Sequence, residues 1–221
     1  MSANQQFDLF TSDRMRMVET QLRQRGIRDE RVLRAMVRVP RHEFVPPDSV
    51  HVAYEDHPIV IAEMQTISQP YMVASMVEAA EIQPADVVLE VGTGSGYQAA
   101  VLAELAAEVF TIERFPSLAA SAQKVLAHLN YANVIVATGD GSEGLRQYAP
   151  YSSIIVAAAS PHVPWTLVEQ LRDGGRLVIP IGNAEEQELQ VVRKLSQGPQ
   201  VERRYKCKFV PLVGRYGFTR G

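Results

Sequence analysis

The segment from Val87 to Tyr97 constrains the fold of this chain most, because it joins a short apolar run to a loop of three glycines. The run Val87–Val91 is rich in β-branched residues, which predicts a buried parallel strand. Residues 98–107 follow with helical spacing and many alanines. A glycine loop lets a ligand approach the backbone, and the start of a helix leaves N–H groups unpaired. This strand, loop and helix therefore predict a cofactor site.

The spacing of the glycines separates two classes of cofactor. A dinucleotide site prefers G-x-G-x-x-G/A, whereas here the glycines stand at 92, 94 and 96 and Tyr97 fills the sixth position. Glu90 would sit poorly beside a pyrophosphate but well beside a cationic ligand. The pattern Glu-x-Gly-x-Gly-x-Gly resembles motif I of the class I S-adenosylmethionine-dependent methyltransferases, whose cofactor carries a sulfonium and an amino group. A plain strand-to-helix turn without a ligand is the alternative.

Length and charge limit the remaining possibilities. The 221 residues suit one α/β domain. The formal net charge of −3 offers no electrostatic footprint for nucleic acid or an anionic membrane. Cys207 is the single cysteine, so no internal disulfide forms. No apolar run is long enough to span a bilayer, and the N-terminus lacks the apolar core of a signal peptide, so we expect a cytoplasmic protein.

Two further properties have little signal in the sequence. The five histidines show no spacing typical of metal ligands, so we expect no metal. The oligomeric state has no signature, and a monomer is the default expectation.

From residue 84 onward, apolar strands alternate with helices, which indicates a doubly wound parallel sheet of the Rossmann-like α/β class. The predicted strands are 87–91, 108–112, 134–137, 152–157 and 176–181, and the predicted helices are 98–107, 116–129 and 165–171. A Gly174–Gly175 turn is expected before the fifth strand. Two alternating segments, 188–194 and 201–209, predict an antiparallel pair at one edge. The whole is a mostly parallel seven-stranded sheet.

The first 83 residues lack this alternation and are predicted to form a helical cap. Two amphipathic helices are expected, from about residue 12 to 25 and from 30 to 37. We therefore expect a single domain, 1–221, in three parts. Residues 1–83 form the cap and the active-site segment, 84–185 the cofactor-binding core, and 186–221 the C-terminal strands.

A polar segment at residues 65–71 ends the cap. Ser68 is a plausible N-cap of a third helix, with Pro70 in its first turn and its end near Ala80. The start of this helix combines polar side chains with free N–H groups, which suits an anion.

In an open parallel sheet, ligands bind beyond the carboxyl ends of the strands, so the loops there should converge. Glu113 ends the second strand 21 residues after Gly92, and an acidic residue at about that distance holds ribose hydroxyls. Asp140 and Gly141 follow the third strand and favour a loop that approaches the adenine. A solvated strand-end carboxylate and a common Asp-Gly turn are the alternatives.

Several segments together resemble the protein-L-isoaspartate O-methyltransferase family. They are residues 39–46, 65–71, 90–96, 138–141 and 150–164, within a similarity from about Met15 to Phe218. Gln-Thr-Ile-Ser-Gln-Pro-Tyr at 65–71 is the most specific of them. The resemblance implies methyl transfer from S-adenosyl-L-methionine to the free carboxylate of L-isoaspartyl residues in damaged proteins and peptides. The ester then collapses to a succinimide without enzymatic help. Nucleic acid and membranes are not implied as partners.

The resemblance also implies roles for single residues. Ser68 would be the catalytic residue that hydrogen-bonds the carboxylate. The cofactor-binding residues would be Ile67, Ser68, Gln69, Glu90, Gly92, Gly94, Gly96, Glu113, Asp140 and Gly141. The substrate-binding residues would be Thr66, Ser68, Val210, Pro211 and Leu212. A carboxylate is already ionised at neutral pH and needs alignment and removal of water more than a general base.

The chain departs from the family pattern at three places. Ile61-Ala62-Glu63-Met64 replaces a frequent Ile-Gly-x-Gly, Ser152 replaces an aspartate after a tyrosine, and Val213 stands where threonine can occur. Larger side chains at 62–64 would narrow or reshape the peptide groove.

Three other functions stay open at this point. One is an adaptor that binds damaged protein without turnover, and a second is a methyltransferase for a different carboxylate. The third is an NAD-linked oxidoreductase, which Tyr97 and Glu90 disfavour.

Overall fold

The first part of the chain is a cap of helices and one short hairpin. The structure, a computed structural model, describes residues 10–219. The cap contains helices α1 (Thr11–Met17), α2 (Glu30–Arg38) and α3 (Pro70–Ala79) and strands β1 (Ile59–Val60) and β2 (Thr66–Ile67). Helix α1 continues through a π-helical turn and a 3-10 turn to Arg25, where Gly26 at φ +105° ends it. The predicted first helix is thus present, with an irregular second half.

The second part is a single seven-stranded sheet. Its strands are β3 (Val87–Val91), β4 (Glu108–Glu113), β5 (Val134–Thr138), β6 (Tyr151–Val156), β7 (Leu171–Gly182), β8 (Gln187–Arg193) and β9 (Gln200–Cys207). Its helices are α4 (Tyr97–Ala103), α5 (Pro116–His128) and α6 (Trp165–Glu169).

The strand order is β5-β4-β3-β6-β7-β8-β9. Strands β3 to β7 pair in parallel, and β8 and β9 pair antiparallel. This confirms the predicted α/β class, the mostly parallel sheet and its antiparallel C-terminal edge. The order reverses between β3 and β6, which is where an open sheet of this type leaves a crevice for ligands. Glu90 stands at this point, paired with Thr111 on one side and Ile155 on the other.

Alternate residues of each strand face opposite sides of the sheet, and each side has its own core. On β3, Val88 belongs to one buried cluster, whereas Leu89 and Val91 belong to the other. The first cluster also contains Leu33 of α2 and Met76 of α3. The cap therefore packs on one face of the sheet and shares its core with it.

Two predicted boundaries are wrong. Helix α4 ends four residues early, because the N–H groups of Leu105 and Ala106 both turn back to the carbonyl of Leu102. The expected turn at 174–175 lies inside β7, which begins at Leu171. The pairing of β7 with β6 shifts register between Leu171 and Arg176, and the two glycines lie in this part of the strand.

Among residues 10–219, no helix combines the length and the apolar character needed to cross a membrane.

Candidate active site

A pocket lies at the carboxyl ends of the central strands. The empty space between its walls, counted together with the part that is open to solvent, is about 790 Å³. Its walls are the glycine loop, the segment 65–68 before α3, residues 112–115 at the end of β4, and the segment 210–213. Segments that are remote in the sequence therefore meet at the crevice that the strand order predicts.

Most of the predicted site residues line this pocket. They are Thr66, Ile67, Ser68, Glu90, Gly92, Gly94, Glu113, Gly141, Val210, Pro211 and Leu212. Gln69, Gly96 and Asp140 do not line it. Asp140 lines an adjoining cavity, which shares Arg114 and Val213 with this pocket.

The glycine loop has a backbone that few other residues adopt. Gly92, Gly94 and Gly96 have φ values of +94°, +52° and +90°, where a Cβ is disfavoured. Gly96 immediately precedes α4, and a Cβ there would lie 3.2 Å from the Cβ of Ala122 on α5. The third glycine therefore serves the packing of the loop against α5, while the first two face the pocket.

Glu90 is completely buried beneath the pocket. Its Oε2 accepts a hydrogen bond of 2.6 Å from the hydroxyl of Thr111, which also lies 2.6 Å from the hydroxyl of Thr93. Burial raises the pKa of Glu90 to about 8, although the hydrogen bond from Thr111 and the nearby side-chain amide of Gln98 oppose this shift. Within residues 10–219, Oε1 of Glu90 and Nε2 of Gln98 are buried and make no hydrogen bond of normal geometry. These two pocket-lining residues thus have unused capacity for a polar or cationic ligand.

Glu113, the last residue of β4, is held by backbone N–H groups. Its Oε2 accepts from the N–H of Gly94 at 2.9 Å, and its Oε1 accepts from the N–H of Phe115 at 3.0 Å. Each carboxylate oxygen has further lone pairs that these bonds leave unused. The side chain is therefore oriented in advance for a ligand that donates hydroxyl hydrogen bonds.

Asp140 has a supporting position that the sequence did not indicate. Its Oδ1 accepts from the N–H and the hydroxyl of Ser142 at 2.9 and 2.7 Å, and its Oδ2 accepts from the N–H of Arg215 at 2.7 Å. Burial alone raises the pKa of Asp140, but the bonds from Arg215 and Ser142 outweigh burial and lower it. The carboxylate fastens the C-terminal segment to the loop. Gly141 fits tightly beside it, since a Cβ there would lie 2.5 Å from Cγ1 of Val91.

The prediction that Ser68 caps α3 is wrong. The residue before the helix is Gln69, and no side chain caps its start. Helix α3 begins at Pro70, so Ser68 lies one residue before the N-cap position. Within the described chain the Ser68 hydroxyl has no hydrogen-bond partner, and the residue lines the pocket. The hydroxyl is therefore available to a ligand.

The backbone around Ser68 is held from the cap. Arg41 Nη2 donates to the carbonyl of Ser68 at 2.8 Å. The side-chain amide of Gln69 donates to the carbonyl and to Oδ2 of Asp56, at 3.1 and 2.7 Å. Gln69 thus ties the segment to the cap instead of lining the pocket.

The segment 62–64 forms an exposed turn outside the pocket. Glu63 and Met64 have φ values of +56° and +55°, which are unusual for residues with a Cβ. Glu63 accepts a hydrogen bond of 2.6 Å from the hydroxyl of Ser117. None of the three residues lines the pocket, so their larger side chains do not narrow this cavity.

Some residues line the pocket although the sequence predicted no role for them there. Gln98, Arg114 and Phe115 all line the pocket. The last two directly follow Glu113, so the rule that ligands bind beyond the carboxyl ends of the strands was a sufficient signal for them. Gln98 had no such signal, because it looks like any residue in the first turn of α4.

In the part of the chain that the structure describes, no group of three or more His, Cys, Asp or Glu side chains is arranged to hold a metal ion.

The chain is similar to known proteins over almost its whole length. A family model described as protein-L-isoaspartate(D-aspartate) O-methyltransferase matches residues 13–217. A protein-L-isoaspartate O-methyltransferase of Koribacter versatilis (strain Ellin345) is 57% identical over 219 residues, 99% of each chain. One of Syntrophus aciditrophicus (strain SB) is 47% identical over 215 residues, 96% of this chain and 99% of the relative.

Solved structures have the same fold. A protein-L-isoaspartate O-methyltransferase superposes with a TM-score of 0.83 at 29% identity, covering 92% of this chain and 67% of the other. A putative protein-L-isoaspartate O-methyltransferase from Plasmodium falciparum, in complex with S-adenosyl-L-homocysteine, superposes with a TM-score of 0.78 at 24% identity. That superposition covers 89% of this chain and 96% of the other.

Proposed function

Because the chain belongs to the protein-L-isoaspartate(D-aspartate) O-methyltransferase family, we propose that it transfers a methyl group from S-adenosyl-L-methionine to the free carboxylate of L-isoaspartyl residues in damaged proteins and peptides. One observation carries the proposal. The pocket combines an unengaged hydroxyl, on Ser68, with an unpartnered buried oxygen, on Glu90, among the described residues. These two groups suit an anionic acceptor and a cationic donor in the same site.

The residues present fit S-adenosyl-L-methionine. Glu90 would bind its positively charged part, since a cation satisfies the unpartnered Oε1 and favours the ionised carboxylate. Glu113, fixed by two backbone N–H groups, would accept hydrogen bonds from the ribose hydroxyls. Gly92 and Gly94 leave the backbone open to close approach. Bound in this way, the cofactor supplies an electrophilic methyl group.

The acceptor needs positioning more than activation. An isoaspartyl carboxylate is ionised at neutral pH, so no residue has to remove a proton from it. Ser68 would donate a hydrogen bond to one carboxylate oxygen and leave the other to act as the nucleophile. Thr66 and the segment 210–212 line the same pocket. They would hold the flanking peptide and exclude water, which strengthens the nucleophile.

The wider setting of the reaction is part of the proposal. Isoaspartyl-containing proteins and peptides are the substrates, and neither nucleic acid nor a membrane takes part. The net charge of −3 supports this, because it gives no general attraction to polyanions. We propose a cytoplasmic monomer, and the single cysteine suits a reducing compartment.

The test is methyl transfer from labelled S-adenosyl-L-methionine to a short peptide that contains L-isoaspartate, with the matching Asp peptide as control. Label on the isoaspartyl peptide alone is the expected result. Binding of S-adenosyl-L-homocysteine, measured by calorimetry, shows that the sample is competent. Cofactor binding without label on either peptide would contradict the proposal and favour an adaptor or a different carboxylate.

A further inference from the structure

Arg41 is among the largest side chains that the fold buries completely, with 0% of its surface exposed. Removing a guanidinium from water is unfavourable unless its charge and its donors are compensated. Among the residues that the structure describes, no carboxylate lies within ion-pair distance of Arg41. A salt bridge therefore does not explain why the Arg41 guanidinium is buried.

The contacts of Arg41 join three parts of the candidate site. Its Nε donates to the carbonyl of Ala53 at 2.8 Å, and its Nη2 donates to the carbonyl of Ser68 at 2.8 Å. Its guanidinium carbon lies 4.7 Å from the centre of the Tyr97 ring, a cation–π contact. Tyr97 directly follows the glycine loop, and it packs edge-on against Phe44 at 5.7 Å. Arg41 thus bridges the cap, the Ser68 segment and the start of α4.

The Ser68 segment depends on this bridge. The Ser68 side chain is not anchored by a helix cap or by another hydrogen bond within the described residues, so its direction follows from its backbone. The next residue, Gln69, is anchored separately through its side chain to Asp56. The bond from Arg41 is therefore the side-chain contact that fixes the peptide group of Ser68 itself.

We propose that Arg41 is a positioning residue for methyl transfer, which holds the backbone of Ser68 so that its hydroxyl meets the substrate carboxylate. The inference rests on the proposed function. A small displacement of a positioning group lowers the rate because the reacting atoms must align closely. Arg41 touches neither the substrate nor the cofactor in this account, so its effect passes through Ser68.

The first test is R41M in the full chain. Methionine fills a similar apolar volume, but it leaves the carbonyls of Ala53 and Ser68 without the donor that Arg41 supplies. We expect a lower melting temperature and a dissociation constant for S-adenosyl-L-homocysteine within about 3-fold of wild type. The kcat for the isoaspartyl peptide should fall by about 10-fold or more. R41K keeps a charge but not the planar fork, so its kcat should lie between that of wild type and that of R41M.

The matched control is R31M. Arg31 is also a cap arginine, but it binds Asp29 and the carbonyl of Ile82 and makes no hydrogen bond to the Ser68 segment. R31M should lower stability slightly and leave kcat unchanged. An equal loss of kcat in R31M and R41M would indicate a general weakening of the cap and overturn the inference.

A double mutant separates positioning from an independent effect. If Arg41 acts through Ser68, R41M/S68A should be no slower than S68A in single-turnover labelling. If the rate losses of R41M and S68A add in the double mutant, Arg41 does not act through Ser68 and the inference is overturned. Should R41M fail to fold, R41K decides, since a wild-type kcat in R41K would also overturn it.

The two proposals fail in different ways. A wild-type chain that binds S-adenosyl-L-homocysteine but labels no isoaspartyl peptide refutes the proposed function and this inference with it. An active wild type with an equally active R41M refutes the inference alone.

Discussion

At the scale of single residues, the site is defined by polar groups that the protein does not satisfy by itself. Oε1 of Glu90 and Nε2 of Gln98 are buried without partners in the described structure, although both residues line the pocket. Buried polar groups in folded proteins are almost always paired. Because these two residues line the pocket, a bound ligand would complete their hydrogen bonds.

Glu90 should make the stability of the ligand-free protein depend on pH. Its pKa is raised from 4.5 to about 8 by burial. A carboxyl group whose pKa is higher in the folded state stabilises the fold fully below the unfolded pKa, and this contribution is lost as pH rises through the folded pKa. The free energy of unfolding should thus fall between about pH 4.5 and pH 8. Urea unfolding across this range measures it.

E90Q is the matched variant for this prediction, because glutamine has the same shape and does not titrate. In E90Q the free energy of unfolding should fall much less between pH 4.5 and pH 8. The variant should therefore be more stable than wild type at pH 8. An equal pH dependence in both proteins would show that Glu90 is not the responsible group.

Ser68 should matter for turnover and not for cofactor affinity. A hydrogen bond to a charged group contributes about 1.5–3 kcal/mol, so S68A should lower kcat/KM for the isoaspartyl peptide by about 10- to 150-fold. The dissociation constant for S-adenosyl-L-methionine should stay within about 2-fold, since Glu90 and Glu113 carry the cofactor contacts in this account. S117A is the control, because that hydroxyl binds Glu63 outside the pocket. Unchanged kinetics in S68A would exclude the assigned role.

At the scale of elements, the hydrophobic period and the positions of the glycines predicted where the strands lie. Tertiary contacts determine where the strands end. The strands around the site, β3 and β4, lie where the alternating and β-branched runs indicated. The pair Gly174–Gly175 looked like a turn but lies in β7, because pairing across a register shift with β6 extends that strand. Ser68 looked like a helix cap, but α3 begins at Pro70 and leaves its hydroxyl unengaged by the residues described.

Asp140 should stabilise the C-terminal segment. D140A removes three hydrogen bonds, two to Ser142 and one to the N–H of Arg215. It also leaves these donors without their acceptor, which should cost about 1–3 kcal/mol of unfolding free energy. Hydrogen exchange at the Arg215 amide should become faster. D140N keeps one oxygen acceptor and should have a smaller effect. Unchanged exchange at Arg215 in D140A would contradict this prediction.

At the scale of the whole molecule, the cap and the sheet are joined by a common core. Leu33 of α2, Met76 of α3 and Val88 of β3 belong to one buried cluster. The pocket takes its walls from the cap-side segment, the sheet and the C-terminal segment. We therefore keep the proposal of one domain, in which the cofactor-binding core does not unfold independently of the cap.

This proposal predicts one cooperative unfolding transition. The fluorescence of Trp165 on α6 and the amide exchange of α2 should report the same midpoint in urea. S-adenosyl-L-homocysteine at about 100 times its dissociation constant should raise the unfolding free energy by about 2.7 kcal/mol for both probes. An earlier transition for α2 alone would show that the cap is a separate unit.

The sequence alone was enough to determine the parallel sheet, the glycine loop and the placement of Glu90 and Glu113. These follow from local regularities, because strand period, positive-φ glycines and the edge where parallel strands end are general properties of the α/β class. The family resemblance added Ser68 and the segment 210–212, which line the same pocket.

Only the tertiary structure decided the parts of the site that depend on distant partners. Arg41 reaches the Ser68 carbonyl across 27 positions in the chain, and Asp140 reaches Arg215 across 75. A hydrogen bond of this kind leaves no local pattern, because either residue would look the same with any other partner. Whether a buried polar atom is paired is likewise a property of the packed interior. That Oε1 of Glu90 has no partner among the described residues therefore follows only from the tertiary structure.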